Sequence, residues 1–267
     1  MKTPEPAPAV HAPHVPLTEY YQTEQDRQAY LRKIFDNTAA DYDRIEAMLA
    51  WGTGSRYRRT ALVRGGLKTG MKILDVGVGT GLVAAQACLL VGDPALVTGV
   101  DPSPGMMAAS KLPKTMVLVE GRAEALPFPD NHFDFLSMGY ALRHISDLGV
   151  AFAEFERVLK PGGRLCILEI TQAKSRLGRW FLKTYMRGVI PLLTRLVSKQ
   201  KDTATIWRYY WDSIEACVPP EQVMATLSAA GLTHVAQHLE VGVFSEYQAT
   251  KRAPTVSGTQ TPQQQHG

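Results

Sequence analysis

The chain has 267 residues, 45% of them hydrophobic and 20% charged, a composition that excludes disordered and fibrous classes and is ample for one buried core with additions. Its 29 basic and 25 acidic residues leave a net charge of only +4, too small over this length to indicate a nucleic-acid partner. The cysteines Cys88, Cys166 and Cys217 are odd in number, far apart and without C-x-x-C spacing, which argues against a disulfide framework or zinc knuckle and fits a reducing, cytoplasmic setting.

Residues 1–18 are proline-rich, contain no apolar run of secretory length, and are expected to form a disordered arm. The packed domain is predicted over 19–251, beginning with one or two helices between Glu19 and Arg64. Short β-rich runs then alternate with helical patterns, the signature of a parallel sheet with helices on both faces. Strands are predicted at 71–79, 95–101, 115–121, 132–139 and 164–170. Helices follow the first two strands, and another is predicted over 148–160, stopped by Pro161-Gly162-Gly163. A helical insertion is expected at about 174–216. In it Leu177, Phe181, Tyr185, Val189 and Leu193 fall at steps of four, a stripe that either packs on the fold or, with the basic residues beside it, touches an anionic bilayer surface. A last helix at 221–231 and a terminal antiparallel hairpin complete about seven strands, and 252–267 reads as a disordered tail. No segment reads as a spanning helix.

The segment Asp75-Val-Gly77-Val-Gly79-Thr80-Gly81 closes the first strand with a carboxylate and then places a glycine at every second position. A dinucleotide fingerprint needs G-x-G-x-x-G, so that helix-terminal amides meet a pyrophosphate; here the third glycine comes one residue early. The spacing suits a ligand without phosphate, whose amino-acid and ribose portions lie against bare backbone, and S-adenosyl-L-methionine is such a ligand. Asp101 ends the second strand, where an acid can accept both ribose hydroxyls. The turn at Arg122 and Ala123 follows the third strand at the same edge, in place to meet an adenine. The alternative is that Asp75 caps the turn and Asp101 caps the next helix.

From Ile34 to about Lys251 the chain resembles the UbiE-like ubiquinone/menaquinone C-methyltransferases, a branch of the class I methyltransferases with a Rossmann-like three-layer α/β sandwich. The resemblance is carried by Phe35-Asp36-Asn37-Thr38-Ala39-Ala40-Asp41-Tyr42-Asp43, by AEALPFPDNHFD (123–134) and by RVLKPGGRLCILE (157–169). It implies cofactor contacts at Gly77, Gly79, Thr80, Asp101, Arg122, Ala123 and Gly139, with Asp75 and Gly81 completing the loop, and a small-molecule or lipid-tailed quinol as substrate. Two departures stand out. Arg122 replaces a common Asn or Asp, and Tyr140-Ala141-Leu142-Arg143-His144 replaces F-G-L-R-N.

Methyl transfer to an aromatic carbon needs an aligned nucleophile and a group near its hydroxyl. His144 is the candidate base and Arg143 the candidate phenolate-stabilising cation; both also suit a turn brace. Tyr42, Tyr140, Trp207 and Tyr210 are candidate substrate contacts. His234 and His238 have no acid or cysteine at ligand spacing in the sequence, so no metal site is predicted. Also open are O- or N-methylation of a smaller metabolite, an accessory role without turnover, peripheral membrane contact and a homodimer.

Overall fold

A computed structural model describes residues 11–49, 53–173, 175–192 and 202–253. Helix α1 (Glu24–Leu49) is followed by α2 (Gly54–Gly65), then β1 (Ile73–Val76), α3 (Leu82–Val91), β2 (Val97–Asp101), α4 (Pro104–Ala108), β3 (Val117–Glu120) and β4 (Phe133–Gly139). After these come α5 (Leu148–Val158), β5 (Leu159–Ile170), α6 (Arg176–Thr184), α7 (Asp202–Ala216), α8 (Pro220–Ala229), β6 (Leu232–Glu240) and β7 (Phe244–Lys251). The strands form one sheet in the order β3-β2-β1-β4-β5-β7-β6, with β1 to β5 parallel and β7 antiparallel to both neighbours. This is the Rossmann-like sheet with its terminal hairpin, as the alternation of patterns predicts.

Every residue of β1 and β2 is buried, because both sheet faces are covered and a strand inside such a sandwich is apolar on both sides. One face carries α5 and α8, and their Phe152, Phe155, Val223 and Leu227 pack on Leu136, Leu165 and Tyr247. The other carries α2 and α3, whose Leu62, Val83 and Ala87 pack on Ile73, Val97 and Phe135. A separate apolar cluster joins α1 to α7 and the chain around Met186 and Ile190, and it roofs the carboxyl ends of the strands.

Two boundaries differ from the sequence reading. Strand β5 starts at Leu159 and runs through the Pro-Gly-Gly that reads as a stop, with an irregularity that pairs Leu159 with Phe133 and then Arg164 with Phe135. The residues from His11 to Thr18 are laid on the fold rather than loose. The His11 carbonyl accepts the Leu148 N–H at 2.9 Å, the Pro13 carbonyl accepts the Val218 N–H at 2.7 Å, and His14 is buried. Of the stripe of the insertion, Leu177, Phe181 and Val189 are exposed, whereas Tyr185 packs against the cluster that holds Met186 and Ile190. Leu193, the arm before residue 11 and the tail from 254 lie outside the described residues.

Candidate active site

Strands β1 and β4 are neighbours in the sheet, yet the chain leaves them toward opposite edges. The crevice beyond their carboxyl ends is therefore free of crossovers, the position at which open α/β sheets bind ligands. Gly77 leaves β1 there with φ +69°, and a Cβ on it would stand 2.6 Å from the Ala141 Cβ of the loop after β4. Only bare backbone allows these loops to approach so closely. The cavity they border measures about 260 Å³ and runs along the sheet edge from Ala123 and Asp101, past Gly77 and Gly79, to Gly139 and Tyr140.

Asp101 organises the first part of this edge. Its two carboxylate oxygens accept the Gly79 N–H and the Ser103 N–H, both at 2.8 Å, which fixes the glycine loop against β2 and leaves further lone pairs for a ligand. Burial raises its pKa to about 6, against the lowering effect of those two bonds. Asp75 is buried beneath the loop, accepts the Ser137 hydroxyl at 2.6 Å, and is pushed up to about 7 by burial. Thr80, Arg122 and Ala123 line the cavity. The Arg122 guanidinium donates to the Ser146 hydroxyl at 3.0 Å and lies beside Glu124, both of which also line the cavity. Gly81 departs from the expectation: it does not line the cavity but precedes α3 at φ +92°, and Leu82 and Val83 line the cavity instead.

Helix α1 closes this end. Asp36 accepts the Ser103 hydroxyl at 2.5 Å and the Gly105 N–H at 2.9 Å, and Asp43 accepts the Thr80 hydroxyl at 2.5 Å. These positions are seven apart, two helical turns, so both carboxylates fall on one face. Phe35 and Tyr42, one residue earlier in each turn, line the cavity.

The far end is aromatic. The Tyr42 hydroxyl accepts from Tyr210 at 2.8 Å, and Tyr140 sits at φ +60° with the Arg58 guanidinium 5.7 Å from its ring centre. Burial raises the phenol pKa of Tyr42, Tyr140 and Tyr210, so these groups are neutral donors and acceptors rather than bases. His144 lines the cavity with Phe35 against its ring at 5.2 Å. Its Nδ1 meets the Tyr209 hydroxyl at 3.3 Å, while its buried Nε2 has no partner. Burial, then the charge of Arg143, holds its pKa well below the usual imidazole range.

Two candidates lie behind the wall. Arg143 is absent from the cavity lining; its guanidinium is buried in a pair with Glu169, and its Nε donates to Ser213 at 3.2 Å. It ties the loop after β4 to β5 and α7, a correction to the expectation that it reaches a phenolate. Trp207 is 6% exposed and stacks behind Tyr42 at 6.3 Å, so it supports the wall without lining it. Sequence reading missed Arg58 and Ser103, both in the lining. It also missed that strand pairing sets His238 opposite Glu246, with the ligand atoms of His238, Glu240 and Glu246 within 4.8 Å of one another. The Arg64 guanidinium already meets both acids there, at 3.3 and 2.5 Å.

Apolar Leu82 and Val83 occupy the helix end that a pyrophosphate would need, while bare peptide and a buried acid stand where a nucleoside with an amino-acid arm can lie. The residues fit that ligand, and fold and site together define an S-adenosylmethionine-dependent methyltransferase of class I architecture. The profile of the ubiE/COQ5 methyltransferase family matches residues 22–251, and the chain belongs to that family. It is 32% identical over 224 residues to the ubiquinone/menaquinone biosynthesis C-methyltransferase UbiE of Shewanella frigidimarina, covering 81% of this chain and 88% of that one. With the UbiE of Hahella chejuensis it shares 30% over 225 residues, 82% and 86% of the two chains. A Thermotoga maritima methyltransferase structure, described as a possible histamine N-methyltransferase, superposes over 82% of this chain and 99% of its own at a TM-score of 0.55 and 23% identity; that likeness is one of fold.

Proposed function

We propose that the protein C-methylates the ring of a quinol or related phenol in isoprenoid quinone biosynthesis. The observation that carries this reading is the one cavity that joins the glycine loop and Asp101 to an aromatic chamber of Phe35, Tyr42, Tyr140 and Tyr210, with the His144 ring in its wall. Gly77, Gly79, Thr80, Asp101, Ala123 and Gly139 hold S-adenosylmethionine, which when bound supplies an activated methyl electrophile. The aromatic walls clamp the acceptor ring and exclude water, so that positioning carries much of the rate. His144 Nε2 accepts the hydrogen bond of a ring hydroxyl, which raises electron density at the ortho carbon. Full transfer of that proton to the imidazole is opposed by burial and by Arg143, so His144 acts as an acceptor that polarises the hydroxyl and its rate contribution is flat above neutral pH.

Helix α6 extends the reading to the acceptor's tail. Leu177, Trp180 and Phe181 are exposed, with Arg176 and Arg179 exposed beside them, an arrangement that favours contact with an anionic bilayer surface. Among the described residues no helix is long and apolar enough to cross a membrane, so this contact is peripheral.

The test is transfer of a labelled methyl group from S-adenosylmethionine to a demethylated quinol presented in anionic vesicles. Label on a ring carbon is expected, and His144→Ala lowers turnover at least about tenfold with cofactor affinity unchanged. Label on a heteroatom, or binding without turnover, overturns the reading.

A further inference from the structure

Arg27 stands in the first turn of α1 with its side chain 5% exposed. The positive end of the helix dipole, burial and an Nε–H left without a partner all oppose a cation at this place. Glu24, 3.2 Å away, is half-exposed and offsets little of that cost. What the guanidinium reaches is the loop that carries His144. Its Nη2 donates to the Arg143 carbonyl at 3.0 Å and to the Ile145 carbonyl at 2.9 Å, so one nitrogen spends both hydrogens on the residues either side of His144. The His144 N–H is held in turn by the Ala141 carbonyl at 2.9 Å. With the backbone fixed, the ring is set by Phe35 at 5.2 Å and by Tyr209 and Tyr210 at 5.6 and 5.8 Å. Arg27, Leu31 and Phe35 recur at steps of four along α1, hence on one face. Leu31 and Phe35 line the cavity and Arg27 does not. The same helix face thus holds the ring of His144 and, from behind the wall, its backbone.

We propose that Arg27 is a positioning residue for methyl transfer: by bridging the carbonyls on either side of His144 it holds the imidazole in register with the acceptor ring. This inference rests on the role given to His144 above and names the group through which α1 controls it. A guanidinium that does not border the cavity acts on the chemistry only through His144. Its removal therefore costs no more than removal of the imidazole, and costs nothing further once the imidazole is gone.

A double-mutant cycle reads this directly. Arg27→Met is expected to lower kcat at least about fivefold, with the acceptor KM and the dissociation constant of S-adenosylhomocysteine within about twofold of wild type; the retained affinity also reports that the variant pocket is folded. In a His144→Ala background the same change is expected to alter kcat by less than about twofold. Where Arg27→Met does not yield folded protein, Arg27→Gln, which keeps an N–H donor on a shorter arm, carries the same cycle. Nitrogen-15 spectra of ring-labelled histidine, recorded without acceptor, are expected to show the His144 signal moved in the Arg27 variant and those of His234 and His238 in place. Turnover of the Arg27 variant equal to wild type overturns the proposal, as do equal losses in both backgrounds, a matching loss of S-adenosylhomocysteine affinity, or an unmoved His144 signal. If wild-type protein puts no label on a ring carbon, or His144→Ala alone keeps full turnover, the functional reading fails before Arg27 is touched, and the histidine spectrum still decides whether Arg27 holds His144.

Discussion

Replacing Arg143 by methionine separates a residue that touches the acceptor from one that holds the wall in place. The Arg143–Glu169 pair has side-chain exposures of 1% and 2%. Glu169 Oε1 takes the guanidinium and the Ile170 N–H, while its Oε2 has no partner. Removing the cation leaves a carboxylate buried without a counter-charge, a change that costs about 3–5 kcal/mol in comparable pairs. The lost bond to Ser213 adds about 1 kcal/mol. Against a total stability of about 5–15 kcal/mol for a typical domain, Arg143→Met is expected to lose a large share of the folding free energy. Adding Glu169→Gln removes the stranded charge and is expected to recover most of that loss. Urea unfolding reads the stabilities, and single-turnover methyl transfer at low temperature reads the chemistry. The double variant is expected to stay within about tenfold of wild-type turnover, because the Arg143 guanidinium does not line the cavity and backs the Tyr210 ring at 5.5 Å. If Arg143→Met stays within about 1 kcal/mol of wild type while turnover collapses, or if the double variant is no more stable than the single, the framework role is wrong.

The contact of α1 with the cofactor loops yields a second expectation. Asp36→Ala removes two hydrogen bonds to a carboxylate and is expected to cost about 1.5–3 kcal/mol in urea unfolding and to raise the KM for S-adenosylmethionine more than that for the acceptor; an unchanged cofactor KM speaks against α1 as the closing element. A third concerns pH. Asp75 keeps its proton to about 7 in the native state, whereas an unfolded aspartate releases it near 4. Between those values the native state binds the extra proton, so this group's contribution to stability is lost as pH rises, at up to about 1.4 kcal/mol per unit. Buried His144 and His14, whose pKa values are lowered, act in the opposite direction near pH 6. The readout is therefore the stability of the ligand-free protein minus that of Asp75→Asn, and a difference that grows in favour of the native aspartate from pH 5 to 8 contradicts the assignment.

The parts of this protein that were readable from sequence are those in which local chemistry and global fold coincide. Strands β1, β2 and β4 announce themselves because a strand covered on both faces must be apolar throughout. The glycine loop announces itself because Gly77 meets the loop after β4 at a distance no side chain survives. Both signals are written within a few consecutive residues. Asp36 and Asp43 are marked only by the family-like stretch in which they stand, with Asp43 beside Tyr42 as a lid contact; their bonds to α4 and Thr80 are set by residues distant in sequence.

Arg143 shows the limit most directly. Next to His144 on a loop at the carboxyl edge it has the local signature of a catalytic cation, and what removes it from the chemistry is Glu169 at the end of β5 and Ser213 on α7, both distant in sequence. The N-terminal arm fails in the same way. Prolines and polar residues make 11–18 look disordered, yet its carbonyls supply acceptors to the first N–H of α5 and to Val218, and the Arg143 carbonyl receives His14 Nε2 at 3.1 Å and the Arg27 guanidinium at 3.0 Å. A segment too polar to form a core can still be ordered by donors that a folded neighbour has left unpaired. The loop that carries His144 is thus held from three sides, by the arm, by α1 and by Glu169, and that convergence sets an imidazole with one unspent nitrogen in the cavity wall.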